Sequence, residues 1–66
     1  MTVVKIVEIS ASSPDGFEDA IRQGVSRCTE TLDSVRGAWV ADQKIVIEEN
    51  EIVDYRVNLK VSFELD

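Results

Sequence analysis

The chain has 66 residues, with 13 Asp and Glu against 7 Lys and Arg, a formal charge of -6, no histidine and one cysteine. That length holds one domain, spanning 1–66, whose core is too small to be secure alone, and the acidic balance argues against nucleic acid, which selects basic faces. Cys28 has no partner for a disulfide and no histidine for a finger-type zinc site, so self-association is the remaining source of stability.

The start, Met1-Thr2-Val3-Val4-Lys5-Ile6, goes straight into strand pattern without a signal-peptide layout, and no apolar run reaches membrane-spanning length. A cytoplasmic location with no membrane partner, and Cys28 as a reduced, buried thiol, are the expectations. Val3 to Ser10, with Val3, Val4, Ile6, Val7 and Ile9, reads as the first strand. Ser13 then suits an N-cap, with Pro14 at the first helical position and Asp15, Glu18 and Asp19 against the positive end of the dipole. Phe17, Ile21, Val25, Cys28 and Leu32 follow at helical spacing, with Ala20 and Gly24 beside them, as the apolar stripe of an amphipathic helix. A glycine inside a helix costs on the order of 1 kcal/mol against alanine, so Gly24 implies close approach to a sheet.

Gly37 ends the connection after the helix. Ala38 to Glu48 reads as a second strand, with Trp39, Ala41, Gln43, Ile45 and Ile47 on one face and Val40, Asp42, Lys44, Val46 and Glu48 on the other. Glu48-Glu49-Asn50-Glu51 suits a hairpin turn. Ile52 to Leu65 is the third strand, and from Tyr55 its odd positions are all large and apolar (Tyr55, Val57, Leu59, Val61, Phe63, Leu65) while its even positions are polar (Arg56, Asn58, Lys60, Ser62, Glu64). The expected architecture is α+β: a β-α-β-β subunit with a three-stranded antiparallel sheet, order 1-3-2, packed on one amphipathic helix. The polar even face must meet solvent, a cavity or another subunit.

Catalytic chemistry finds little to use. Without histidine there is no triad or imidazole relay, Cys28 lies in the apolar stripe rather than in a positive, exposed setting, and the three glycines are too scattered to cradle phosphate. No metal ligand set is visible in one chain. In a closed assembly, however, one carboxylate near an axis becomes two or three ligands, so Asp42, Glu48, Glu49, Asp54 and Glu64 are open to two readings, cation ligands or a solvated acidic surface. Trp39, the one tryptophan, is equally readable as core or subunit packing and as a flat surface for a flat ligand.

Ile6-Val7-Glu8-Ile9, Ser12-Ser13-Pro14-Asp15-Gly16, Glu18-Asp19-Ala20-Ile21, Thr31-Leu32 and the run from Tyr55 to Leu65 together resemble the dodecin family over nearly the whole chain. The resemblance implies a hollow homododecamer with two-fold and three-fold axes that stores or sequesters a small ligand, by family default a flavin (riboflavin or FMN), without turning it over. It also implies a tryptophan at the start of the second strand that stacks on the flavin ring, and a glutamine directly after the third strand's tyrosine that hydrogen-bonds to it. Counted without a gap from Tyr55, those positions hold Gly37 and Arg56, and Trp39 stands roughly 6.8 Å further along the strand; a gap in the hairpin turn would restore it. Gly37, Ala38, Trp39, Gln43 and Arg56 are therefore the ligand-binding candidates, flavin is the family ligand, and calcium, a coenzyme-A-like nucleotide or a purely structural shell are the alternatives.

Overall fold

The computed structural model describes residues 2–65, and the elements run β1 (Val3–Ser13), α1 (Phe17–Thr31), β2 (Val35–Glu48) and β3 (Glu51–Leu65). The sheet has the order β1-β3-β2 and both pairings are antiparallel, as the alternation of the last strand predicts. β3 takes the central place because it alone has an uninterrupted apolar row to give to a core: Val57, Leu59 and Val61 are at most 1 % exposed.

Three boundaries depart from the sequence reading. β1 runs on to Ser13, and the helix N-cap is Gly16 rather than Ser13. Ser13 is instead buried at the end of β1, where its hydroxyl donates to Asp19 Oδ2 (2.5 Å) and accepts the Asp15 N–H (3.1 Å). It thus ties the entry of the helix to the strand before it. Gly16, at φ 140°, makes the reversal between them, a conformation side chains rarely adopt. β2 begins at Val35, three residues before the expected Ala38, because Ser34 at φ 60° already turns the chain back onto β3 and its carbonyl accepts the Glu64 N–H at 3.0 Å.

The helix meets the sheet through small side chains. Ala20, Gly24 and Cys28, spaced by four, are its buried positions, while Phe17, Ile21, Val25 and Leu32 are partly buried around them. The larger stripe residues therefore flank the contact rather than form its centre, since small residues let the two backbones approach. Phe17 closes one end with an edge-to-face contact on Tyr55 (centroids 5.1 Å apart).

The helix is too short for the sheet. Fifteen helical residues span about 22 Å, whereas the protein is 51 Å long and 19 by 13 Å across. Its radius of gyration is 13.6 Å, against about 11 Å for a compact domain of this length. α1 packs over β1 and β3 and leaves β2 largely bare. Ile45, Ile47 and Ile52 toward the hairpin, Val40 in the middle of β2, and Val3 and Leu65 at the other end are consequently 41–62 % exposed.

Candidate functional site

The register decides which side chains meet on the helix-free face. β2 carries an extra residue at Arg36 and another at Ala41, and β3 carries one at Val53, each a point where the pairing with the neighbouring strand slips. Every bulge reverses the facing of the residues after it. Ala38 and Val40 stand opposite the core residues Val61 and Leu59, and Gln43 and Ile45 opposite Val57 and Tyr55, so these lie on the helix side. Gly37, Trp39, Asp42 and Lys44 stand opposite Ser62, Lys60, Asn58 and Arg56 on the free side. The expected single face with Trp39, Ala41, Gln43 and Ile45 is therefore split by the bulge at Ala41.

Of the candidate residues, Gly37, Trp39 and Arg56 share the free face, and Ala38 and Gln43 take the other side in the ladder. Gly37 and Trp39 are joined by unshifted pairing, Gly37↔Ser62, Ala38↔Val61 and Trp39↔Lys60. Gly37 leaves open space apart from the Ser62 hydroxyl, which donates to the Gly37 carbonyl at 3.2 Å. Trp39 is 48 % exposed. Arg56 lies four residues along β3 from Trp39's partner Lys60, about 13 Å at strand rise, and its Nε is 3.6 Å from Asp54 Oδ2.

The pairing arranges the free face into rows that cross all three strands. Glu8, Lys60 and Trp39 form one; Ser10, Asn58 and Asp42 the next; Ser12, Arg56 and Lys44 the third. A depression of about 200 Å³ lies over the second and third rows, lined by Ser10, Asp42, Gln43, Lys44, Arg56 and Asn58. Asp42 is held by its own backbone neighbour, Oδ1 accepting the Gln43 N–H at 3.0 Å. A larger open groove of about 490 Å³ runs between α1 and β1 past Ala11, Gln23, Gly24, Arg27 and the buried free thiol Cys28.

The carboxylates are dispersed. Among the described residues no three His, Cys, Asp or Glu side chains are close enough to hold a metal ion. Glu64 is paired with Arg36 (3.4 Å) and Asp54 with Arg56, whereas Asp42, Glu48, Glu49 and Glu51 have no ion pair among the described residues. Glu48 and Glu51 face each other directly across the two-residue turn Glu49-Asn50. Lys44, Lys60, Asn58 and Ser10 escape a reading by residue type, because only the register gathers them; the polar even positions of β3 were the signal available for Asn58 and Lys60.

The fold and register allow comparison with known proteins. The family model Dodecin matches residues 3–66. The calcium dodecin of Mycobacterium tuberculosis is 32 % identical over 65 residues, covering 98 % of this chain and 92 % of its own length. A crystal structure of that protein, described as a calcium-chelating antigen with a novel calcium-binding site, superposes with a TM-score of 0.85 at 31 % identity, covering 97 % of this chain and 91 % of the other. A single-residue variant of the Thermus thermophilus dodecin gives a TM-score of 0.93 at 32 % identity, covering 100 % and 98 %, and a dodecin from Streptomyces davaonensis 0.92 at 29 %, covering 98 % and 96 %. With the β-α-β-β topology, the 1-3-2 sheet and the match along almost its entire length, the chain belongs to the dodecin family.

Proposed function

We propose that the chain is a non-catalytic protein that assembles as a closed homo-oligomer, the dodecamer of its family, and holds calcium. The observation that carries the choice of ligand is the pair of residues at the family's flavin positions. Counted without a gap from Tyr55, a glycine, Gly37, offers no ring to stack, Arg56 replaces the amide, and Trp39 stands two residues beyond Gly37 on the same face. The likeness to a calcium dodecin supports the same reading. Calcium takes six to eight oxygens, which one protomer does not gather, so the ion would be held by carboxylates that symmetry brings together. Glu48, Glu49 and Glu51 at the hairpin tip are the best placed, being without cationic partners among the described residues and beside bare apolar strands that self-association would cover.

Isothermal titration of the metal-free assembly with calcium, its size measured on the same sample, tests this. Saturable binding that the double substitution Glu48→Gln/Glu51→Gln abolishes without changing the size supports the hairpin site. Absence of binding by the intact assembly overturns the calcium reading. Flavin is the second reading, favoured by the exposure of Trp39 on a polar face instead of in the core. Quenching of riboflavin fluorescence by the assembly, lost on Trp39→Ala, would establish it.

A further inference from the structure

We infer that Asp15-Gly16, the reversal between β1 and α1, is a site of spontaneous isoaspartate formation, a covalent modification that lengthens the backbone where the helix begins. The inference is independent of which ligand the protein holds.

An aspartyl side chain is one carbon long enough to close a five-membered ring on the backbone nitrogen of the next residue. Intramolecular attack of this kind has a high effective concentration, so its rate depends on how freely that nitrogen can approach the carboxyl carbon. A Cβ on the following residue obstructs the approach. Gly16 has none, and nothing stands within 4 Å of the place where one would be. Asp15 is exposed, and neither residue belongs to a helix or a strand. Asp15 is also the one Asp or Asn in the chain that precedes a glycine, since Gly24 and Gly37 follow Gln23 and Arg36. Asp33 and Asn50 are equally exposed but precede Ser34 and Glu51, whose side chains stand in the way.

The step needs only water. The Gly16 nitrogen bonds to Asp15 Cγ as the bond from Cγ to its hydroxyl breaks, and the amide proton and hydroxyl leave together as water. One water then reopens the cyclic imide. Breaking the bond from nitrogen to Cγ restores aspartate. Breaking the bond from nitrogen to the Asp15 backbone carbonyl carbon routes the chain through Cβ and Cγ, which adds one methylene to the backbone and frees the former main-chain carboxyl.

The surroundings give that methylene a structural effect. On one side of the new linkage the Asp15 N–H is held by Ser13 Oγ at 3.1 Å, and on the other the Gly16 carbonyl accepts the first helical hydrogen bond, from the Ala20 N–H at 3.1 Å. Ser13 and Ala20 are both buried, at 1 % and 0 % exposure, and the Ser13 hydroxyl also donates to Asp19 on the first turn. A longer backbone between two such anchors cannot keep all three contacts in place. Isoaspartate at this position therefore loosens the tie between β1 and α1.

The test ages the size-checked assembly for several weeks at physiological temperature and neutral pH. Its tryptic peptides Ile6–Arg22 and Cys28–Arg36 are then analysed by electron-transfer fragmentation, which distinguishes isoaspartate from aspartate. Intact protein is assayed in parallel for methyl-ester formation by an isoaspartyl carboxyl methyltransferase. Isoaspartate is expected at Asp15 and not at Asp33. Asp15→Glu, which keeps the charge but needs a six-membered ring, is expected to abolish it, and Asp15→Asn, which expels ammonia instead of water, to accelerate it several-fold; both leave Gly16 and its backbone untouched. Aged protein is expected to unfold at lower urea concentration than fresh protein, a shift that aged Asp15→Glu does not show. Isoaspartate that forms in urea-unfolded chains but not in the native assembly would overturn the proposal, as would equal amounts at Asp15 and Asp33 or modification at Asp15 that leaves the unfolding midpoint unmoved.

Discussion

Gly24 and Ala11 meet where the helix lies closest to the sheet: a Cβ built on Gly24 would stand 3.0 Å from the Cβ of Ala11, with Leu59 Cδ1 at 3.3 Å. The helix interior tolerates this glycine because the contact it permits buries Leu59 and Val57 beneath α1. Gly24→Ala is expected to be destabilising by about 1 kcal/mol net, as an overpacking cost of about 1–3 kcal/mol outweighs a gain in helix propensity of about 1 kcal/mol. Adding Ala11→Gly should recover most of the loss by removing the opposing Cβ. Urea unfolding of the three variants at one protomer concentration measures this, and a double variant no more stable than Gly24→Ala would refute the contact as the cause.

Ser13 predicts a second outcome. Its buried hydroxyl serves the Asp15 N–H and the Asp19 carboxylate together, and the same Asp19 oxygen accepts the Gln23 side-chain amide at 2.6 Å. Ser13→Ala removes both contacts and should cost about 1–3 kcal/mol. The loss should be non-additive with Asp19→Ala, because the two side chains act through one bond; additive losses in a double-mutant cycle would rule out the coupling.

The hairpin turn offers a stabilising change. Glu49 and Asn50 both have positive φ, 51° and 65°, the signature of a two-residue hairpin loop that favours Asn-Gly. Glu49→Asn should raise stability by about 0.5–1 kcal/mol, since asparagine enters the left-handed region at less cost than glutamate. The comparison belongs in chelator, so that loss of a carboxylate is not read through bound metal.

Trp39 separates the ligand readings. Its ring lies on β2 outside the core, so Trp39→Ala should leave the protomer folded and calcium binding unchanged while lowering the affinity for any flat aromatic ligand by tenfold or more. Circular dichroism and the two titrations measure the three quantities together. A parallel loss of calcium binding would place the ion beside the tryptophan instead of at the hairpin tip.

Much of this architecture is legible in the order of residues. The period of two from Tyr55 to Leu65 marks β3 as the strand with most to bury, and the helical spacing from Phe17 to Leu32 supplies the one element able to cover it. With the chain reversals these two patterns determine the 1-3-2 sheet, because burial on one face is a property each strand carries in its own alternation. The length of the chain likewise announces a need for partners, which the bare apolar strands beyond the helix make specific.

The composition of the free face is not legible in the same way. Trp39 and Gln43 are four apart on a strand, a spacing that unbroken alternation puts on one side, yet the extra residue at Ala41 sends them to opposite faces. A bulge is a mismatch between two strands, and no residue in either strand alone encodes it. For the same reason Lys44 and Arg56, twelve positions apart, become neighbours only when the hairpin registers. The sequence determined which residues must be buried, since hydrophobic burial follows local periodicity; the tertiary pairing decided which polar residues stand together, since that depends on how two strands align.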